Sequence, residues 1–138
     1  MKAYFTRRYK VSASHRLNAD SLSAEENRAT FGKCNNPHGH GHNYRIEVTV
    51  GGRVDPETGM VINMVVLDDV AKRQILERFD HRNLNFDPLF ADRVPTTENL
   101  CIAIFDLLAP ALAPAKLERV RIEETENNFF EYSGTAQK

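Results

Sequence analysis

The sequence predicts an α+β fold in which an antiparallel sheet carries two helices on one face. Segments near both ends of the chain alternate apolar and polar residues with the period of a β-strand. Two stretches between them repeat apolar residues with the period of a helix. Strands and helices do not alternate regularly along the chain, so parallel βαβ units are not expected.

The first strand is predicted from Tyr9 to His15, because every second residue in this segment is apolar or aromatic. His15 has the same parity and therefore ends the strand on its inner face. The next segment, residues 21–36, is polar and rich in turn-forming residues. We predict a shaped loop there.

A second strand is predicted from about His40 to Val50, and its inner face begins with His40 and His42. Residues 55–59 contain proline and glycine where they favour reversal of the chain. Met60 to Asn63 is therefore expected to return as the hairpin partner of the second strand.

Two helices are predicted in the second half of the chain. The first should run from about Met64 to Phe79, because its apolar residues recur at helical spacing. The second should begin at a cap formed by Thr96 or Thr97, with Glu98 in its first turn, where a negative charge is favourable. Pro110 and Pro114 are expected to end it.

The last predicted strands lie on either side of a turn at Asn127–Asn128. Val120, Ile122 and Glu124 share one face of the first of them, so Glu124 is a carboxylate with core parity. A buried charge is costly unless hydrogen-bond donors meet it, and a ligand with two parallel N–H groups would do so. The position is equally compatible with an exposed or salt-bridged strand end.

Length, charge and cysteine content exclude several classes of protein. A chain of 138 residues fits a single domain, residues 1–138, and a net charge of −1 gives no basic face for nucleic acid. No apolar run approaches the roughly 20 residues that span a membrane, and the first residues do not resemble a secretory signal. We expect a cytoplasmic protein with no nucleic-acid or membrane partner. Two cysteines are too few for a disulfide framework or a cysteine zinc ribbon.

Three histidines form the clearest candidate metal site. His40 and His42 leave the same face of one strand, and His15 ends the inner face of another. Three protein ligands plus an exchangeable water is the pattern of catalytic Zn²⁺. A lone histidine is more often a hydrogen-bonded residue, but three on converging faces favour a metal. His38 has the same parity and is a competing ligand unless strand pairing begins only at about Gly39.

Cys34 is the candidate catalytic base. It lies in a Gly, Asn and Pro segment six residues before His40, and both Lys33 and a nearby metal would favour its thiolate. Without the histidines it would be read as an inert loop residue. Cys101 lies in an apolar run and is predicted to be a buried small hydrophobe. Asp80–His81 is either an acid–base unit or a solvated pair at a helix end.

In order and spacing, these motifs resemble the 6-pyruvoyl-tetrahydropterin synthase family over almost the whole chain. The resemblance is carried by Val11–His15, Gly32–Pro37, His40–Tyr44, Asp55–Gly59, Asp80–His81, Thr96–Asn99 and Glu124–Thr125. It implies the tetrahydropterin-synthase fold, or T-fold, in which three sheets join into a barrel and two trimers stack. A homo-hexamer with active sites between subunits is expected.

The resemblance also implies a role for each candidate residue. His15, His40 and His42 would bind zinc, and Cys34 would be the proton-abstracting thiolate, with Asp80 and His81 of a neighbouring subunit as its charge partners. Glu124 would anchor the pterin, and Thr96, Thr97 and Glu98 would line its pocket. His38 departs from the asparagine that animal synthases of the family typically have there.

The implied activity is that of a zinc-dependent lyase. It would convert 7,8-dihydroneopterin triphosphate into 6-pyruvoyl-tetrahydropterin and triphosphate by an internal redox reaction, without nicotinamide or flavin. A related branch yields 6-carboxy-tetrahydropterin and acetaldehyde on the way to queuosine; Cys34–Pro37 and the loop length favour the first product. A non-catalytic zinc- or pterin-binding protein and a zinc hydrolase are the alternatives from other classes.

Overall fold

A five-stranded sheet forms the frame of the protein, for which the computed structural model describes residues 1–135. Its strand order is β3-β1-β2-β4-β5. The strands are β1 (Lys2–His15), β2 (His40–Arg53), β3 (Arg82–Asn83), β4 (Lys116–Thr125) and β5 (Asn128–Tyr132). All neighbours pair antiparallel except the two-residue β3, which runs parallel to β1. The predicted α+β class is confirmed.

Helices connect these strands. They are α1 (Ala24–Phe31), α2 (Met64–Ala71), α3 (Glu77–Phe79) and α4 (Thr97–Leu112). A π-helical turn, Lys72–Leu76, joins α2 to α3, so the backbone is helical from Met64 to Phe79 as predicted. Short 3₁₀ turns occupy Gly32–Asn35, Leu84–Phe86 and Pro88–Phe90. None of the helices within residues 1–135 is both long and apolar enough to cross a membrane.

The core lies between one face of the sheet and the helical segments α2 to α4. Strand alternation directs Val11, Tyr44, Ile46 and Ile122 inward, while helical periodicity brings apolar side chains to meet them. The most deeply buried helical residues are Leu67, Ile75, Phe79, Leu100, Ile104 and Leu108. The apolar stripes predicted from the sequence are therefore the surfaces that pack.

The long β1–β2 pairing brings the histidine ends of the two strands together. Its register places His15 opposite His40 and Ala13 opposite His42. Gly39 leads into β2 with a φ of 72°, and a Cβ there would lie 3.0 Å from the carbonyl oxygen of His15. Only glycine accommodates this approach without strain, so Gly39 allows the Cys34 segment to rejoin the sheet beside His15.

The predicted hairpin strand from Met60 to Asn63 is wrong. Both edges of β2 are already paired, one with β1 and the other with β4, so no edge is free for a third partner. Asn63 instead caps α2, because its side chain accepts a hydrogen bond from the backbone N–H of Val65 at 2.9 Å.

The predicted loop over residues 21–36 contains α1 and a 3₁₀ turn instead. Ser23 and Glu26 form a capping box, in which each side chain accepts from the other residue's backbone N–H. Hydrophobic periodicity missed this helix because its buried residue is Asn27, whose amide bonds the backbone of Ala19, Leu22 and Ser23.

Two predicted boundaries also change. Strand β1 begins at Lys2 rather than Tyr9, because residues 2–8 pair with residues 47–53 although their side chains are only partly buried. Helix α4 passes Pro110 and continues to Leu112, whose side chain is 3% exposed. Packing of Leu112 against the core holds the last turn despite the proline.

Candidate active site

The ends of β1 and β2 bring His15, His40 and His42 together. Their possible ligand atoms all lie within 4.8 Å of one another. Nε2 of His15 lies 3.0 Å from Nε2 of His40, and the three rings meet edge to face at centroid distances of 4.6 to 5.1 Å. The strand parity that predicted this convergence therefore describes the arrangement correctly.

The nitrogen atoms of this trio fit a metal. Nδ1 of His15 donates to the carbonyl oxygen of Pro95 at 2.7 Å, which leaves the Nε2 lone pair directed at the other two rings. Nδ1 of His40 and Nε2 of His42 are buried without a hydrogen-bond partner in the described residues. Burial lowers the pKa of both His15 and His42, so their neutral, metal-binding forms are favoured.

His38 does not belong to the trio. Strand β2 begins at His40, and His38 lies in the preceding turn with an exposed side chain. Its backbone N–H bonds the side-chain oxygen of Asn36 at 3.2 Å. The sequence left open whether parity would direct this ring inward, and the start of β2 answers that question.

Cys34 lies in the 3₁₀ turn after α1 and borders the same cavity as His40 and His42. The cavity has a volume of about 730 Å³. The backbone carbonyl of Cys34 accepts from the N–H of Leu17 at 2.8 Å, which ties the cysteine segment to the residues that follow His15. One continuous space therefore reaches the thiol and two of the three imidazoles.

The protein environment of Cys34 favours its thiol. Burial raises the pKa of Cys34, and the negative charge of Glu124 raises it further. This direction is opposite to the one expected from Lys33. A dication among the histidines would oppose both effects and favour the thiolate.

Glu124 lies near the histidines at the end of β4, half-buried. Thr97 is 2% exposed and donates its hydroxyl to one carboxylate oxygen, while Asn128 Nδ2 lies 3.4 Å from the other. Its negative charge acts on the pKa of His15, His42 and Cys34. Thr97 fixes the orientation of this carboxylate. Within one chain Glu124 does not line the Cys34 cavity but borders a smaller one together with His42.

The other two residues of the Thr-Thr-Glu segment are placed differently. The hydroxyl of Thr96 accepts from the backbone N–H of Asn99 at 3.1 Å, so Thr96 is the cap of α4. Glu98 is exposed in the first turn of α4. Within one chain, neither side chain lines the cavity that contains Cys34.

Tyr44 is a site residue to which the sequence analysis assigned no role. Its side chain is fully buried, and its hydroxyl lies 3.3 Å from Nδ1 of His15. Pro95 was likewise missed, because its contribution is a backbone carbonyl from a loop 80 positions away. The signal for Tyr44 was present, since it continues the parity of His40 and His42.

Asp80 and His81 contact each other just before β3, which pairs with the edge of β1 that faces away from β2. His81 Nδ1 lies 3.1 Å from an Asp80 oxygen, and the other Asp80 oxygen accepts from the N–H of Ser12 at 2.8 Å. His81 has a φ of 60°, which brings together two neighbours that a regular strand would direct apart. The pair does not line the Cys34 cavity of its own chain.

Comparison with known proteins gives this geometry a context. Residues 4–135 match the family model described as 6-pyruvoyl tetrahydropterin synthase. The chain is 49% identical over 134 residues to the human 6-pyruvoyl tetrahydrobiopterin synthase, covering 96% of this chain and 92% of that protein. It is 34% identical to a putative 6-carboxy-5,6,7,8-tetrahydropterin synthase of Archaeoglobus fulgidus, covering 80% of this chain and 88% of that protein.

A solved structure agrees with the sequence comparison. The Caenorhabditis elegans 6-pyruvoyl tetrahydropterin synthase superposes with a TM-score of 0.94 at 42% identity, covering 98% of this chain and 97% of that one. The strand order of the sheet and the histidine cluster are consistent with these comparisons. The chain therefore belongs to the 6-pyruvoyl tetrahydropterin synthase family of enzymes.

Proposed function

We propose that the protein is a zinc-dependent lyase that converts 7,8-dihydroneopterin triphosphate into 6-pyruvoyl-5,6,7,8-tetrahydropterin and triphosphate. One observation carries this proposal: a thiol borders the same cavity as His40 and His42, two members of a histidine cluster that could hold a metal. A non-catalytic metal-binding protein has no need of the thiol, and a hydrolase has no need of a carbon base. Relatives that share 46–50% identity with the chain are named for this reaction.

Zinc fits the trio because three neutral imidazoles and one open position form the common catalytic coordination set of this metal. His15, His40 and His42 would hold it, and it would supply Lewis acidity toward the hydroxyls of the substrate side chain. Pro95 keeps His15 in the required tautomer through its carbonyl. Tyr44 packs behind the same ring and limits its rotation.

Glu124 and Cys34 supply the remaining chemistry. The carboxylate of Glu124 would accept the parallel N–H groups of the pterin ring, with Thr97 holding it in place. Deprotonated Cys34 would remove a proton from a side-chain carbon, and the electron pair left behind would redistribute within the substrate as triphosphate departs. The pterin is reduced and its side chain oxidised, so no external electron carrier is required.

Asp80 and His81 would complete this site from a neighbouring subunit of a homo-hexamer. Their mutual contact at 3.1 Å supports a proton-relay role, and the exposure of His81, 82% for its side chain, leaves it free to meet another chain. The separation of this pair from Cys34 within one chain supports a shared site rather than a site built by one subunit.

Product identification tests the proposal. Incubation with 7,8-dihydroneopterin triphosphate should yield a tetrahydropterin absorbance spectrum, triphosphate and a 6-pyruvoyl product by mass spectrometry. Release of acetaldehyde with a 6-carboxy product would instead assign the other branch of the family. Phosphate release without any tetrahydropterin would contradict a lyase.

A further inference from the structure

Three basic side chains border the Cys34 cavity, and the reaction scheme above uses none of them. Arg16 directly follows β1, Arg28 belongs to α1, and Lys33 belongs to the 3₁₀ turn after α1. We refer to these three side chains as the cationic rim. Among the described residues, no aspartate or glutamate lines the same cavity, so this side of the site carries uncompensated positive charge.

The cationic rim has no carboxylate partner within residues 1–135. Elsewhere in the described chain, arginines such as Arg7 and Arg78 form salt bridges of 2.8 to 3.0 Å with aspartates. Arg16, Arg28 and Lys33 form none. Three like charges at one cavity repel one another, and a bound anion would relieve this repulsion.

Arg16 is held in place for such an anion. The side chain of Asn85 bonds both the backbone N–H and the carbonyl of Arg16, at 2.7 and 2.9 Å. Its Nε donates to the carbonyl of Asn35 at 3.2 Å, and the terminal nitrogens of the guanidinium have no hydrogen-bond partner within residues 1–135. A positioned guanidinium with two free terminal nitrogens binds a phosphate group in bidentate fashion.

We propose that the cationic rim binds the phosphate chain of the substrate. This inference rests on the proposed function, since it assigns the part of the substrate that the histidines and Glu124 leave without a partner. A ligand whose reacting carbons lie beside Cys34 and the histidines has the rim on the wall of the same cavity. The rim neutralises the phosphate chain on binding and stabilises the charge that triphosphate carries as it leaves.

A neighbouring cavity of about 580 Å³ is less suited to this role. It shares Arg16 and adds Arg93, but its lining also includes Asp20 and Asp92. These carboxylates would repel a polyphosphate and cancel the attraction of the two arginines. The phosphate chain is therefore assigned to the side of Arg16 that faces Arg28 and Lys33.

Calorimetric titration with inorganic tripolyphosphate tests the cationic rim directly. The zinc-loaded wild-type protein should bind tripolyphosphate, and the double variant Arg28→Gln/Lys33→Gln should bind it about 100-fold more weakly, or about tenfold for each cation removed. Arg28 and Lys33 are exposed, so the double variant should fold normally. Zinc content measured after each titration separates binding from extraction of the metal by chelation.

The matched control is Arg53→Gln. Arg53 is an exposed arginine at the opposite end of β2 from His40 and should leave tripolyphosphate affinity within about twofold of wild type. The double variant should also raise the KM for 7,8-dihydroneopterin triphosphate while leaving the affinity for unphosphorylated 7,8-dihydroneopterin unchanged. The last comparison distinguishes loss of phosphate contacts from distortion of the pterin pocket.

The assignment of phosphate binding to the cationic rim is contradicted if wild-type protein fails to bind tripolyphosphate, or if the double variant binds it as tightly as wild type. It is also contradicted if Arg53→Gln weakens tripolyphosphate binding as much as the double variant does. The assignment is also contradicted if the double variant loses as much affinity for 7,8-dihydroneopterin as it loses for tripolyphosphate. Rim-dependent tripolyphosphate binding in a protein that forms no tetrahydropterin would contradict the proposed function while supporting the rim.

Discussion

At the scale of single residues, His15 shows how the fold prepares a metal ligand. One ring nitrogen is bound by the carbonyl of Pro95 and the other faces His40. Strand parity alone predicted that the ring points inward. The contact with Pro95 could not be predicted, because it depends on how the loop before α4 packs on β1.

Replacement of Cys34 by alanine tests the proposed base. Turnover should fall by a factor on the order of 10² to 10⁴, because a positioned base contributes about that much to proton transfer. Zinc content and pterin binding should stay near wild type, since the thiol is absent from the histidine cluster. The assay combines product formation with metal analysis.

Cys101→Ala is the matched control for Cys34→Ala. Cys101 is 1% exposed in the core and its Sγ lies 3.2 Å from the carbonyl oxygen of Val120, away from the cavity. This variant should retain turnover despite some loss of stability. Full activity of Cys34→Ala would remove the proposed base.

At the scale of elements, α1 forms part of the cavity wall through Ala24 and Arg28. A helix of eight residues is marginal by itself, so its cap matters. The capping box of Ser23 and Glu26 was visible in the sequence, whereas an apolar stripe was not. The capping box therefore predicts this helix where hydrophobic periodicity does not.

Ser23→Ala should lower the free energy of unfolding by about 1 kcal/mol, the usual loss when a helix cap is removed. Urea denaturation measures this difference, and amide hydrogen exchange should show faster exchange in α1 than in the wild type. Ser21→Ala makes the same substitution just outside the capping box and should change little. Equal effects of the two variants would show that the cap does not stabilise α1.

The loop between α3 and α4 is held by Asp87 and Arg78. The guanidinium of Arg78 bonds both carboxylate oxygens of Asp87 at 2.8 and 2.9 Å, and Asp87 also accepts from the backbone N–H of Leu89. Burial by itself would raise the pKa of Asp87, but these hydrogen bonds keep it below its ordinary value. The interaction therefore stabilises the ionised form.

Asp87→Asn should lower the free energy of unfolding by about 2 kcal/mol near pH 7. A carboxyl whose pKa is lower in the folded state stabilises the fold above its unfolded pKa and loses this effect as the pH falls through its folded pKa. The difference between wild type and variant should hold from pH 7 to about 4 and shrink below that. Urea denaturation at several pH values measures it, and a difference that grows on acidification would contradict this assignment.

At the scale of the whole molecule, one chain separates groups that the proposed reaction requires together. Cys34 borders the cavity at the histidines, whereas Asp80 and His81 lie across β1 from it. The sequence predicted the central strands β1, β2 and β4, because each carries clear alternation. It could not predict β3, which has two residues and depends on the left-handed backbone at His81.

Mixing two inactive variants tests whether the active site is shared. Cys34→Ala and His81→Ala proteins, each nearly inactive alone, should regain activity when co-expressed. Mixed oligomers would contain some sites in which Cys34 and His81, from different chains, are both intact. The assay compares the activity of the co-expressed variants with that of each variant alone. Light scattering establishes whether six chains of 15.7 kDa assemble. An inactive mixture of assembled oligomers would show that each chain uses its own pair.

The convergence of three imidazoles on one Zn²⁺ ion is the claim on which the other assignments depend. Anomalous diffraction from crystals of the purified protein, recorded on both sides of the zinc absorption edge, tests it most directly. The expected result is one zinc per chain bonded to His15 through Nε2, to His40 and to His42, because Nδ1 of His15 is already bound to Pro95. A zinc-loaded crystal with the metal elsewhere, or with the three rings turned apart, would contradict the account.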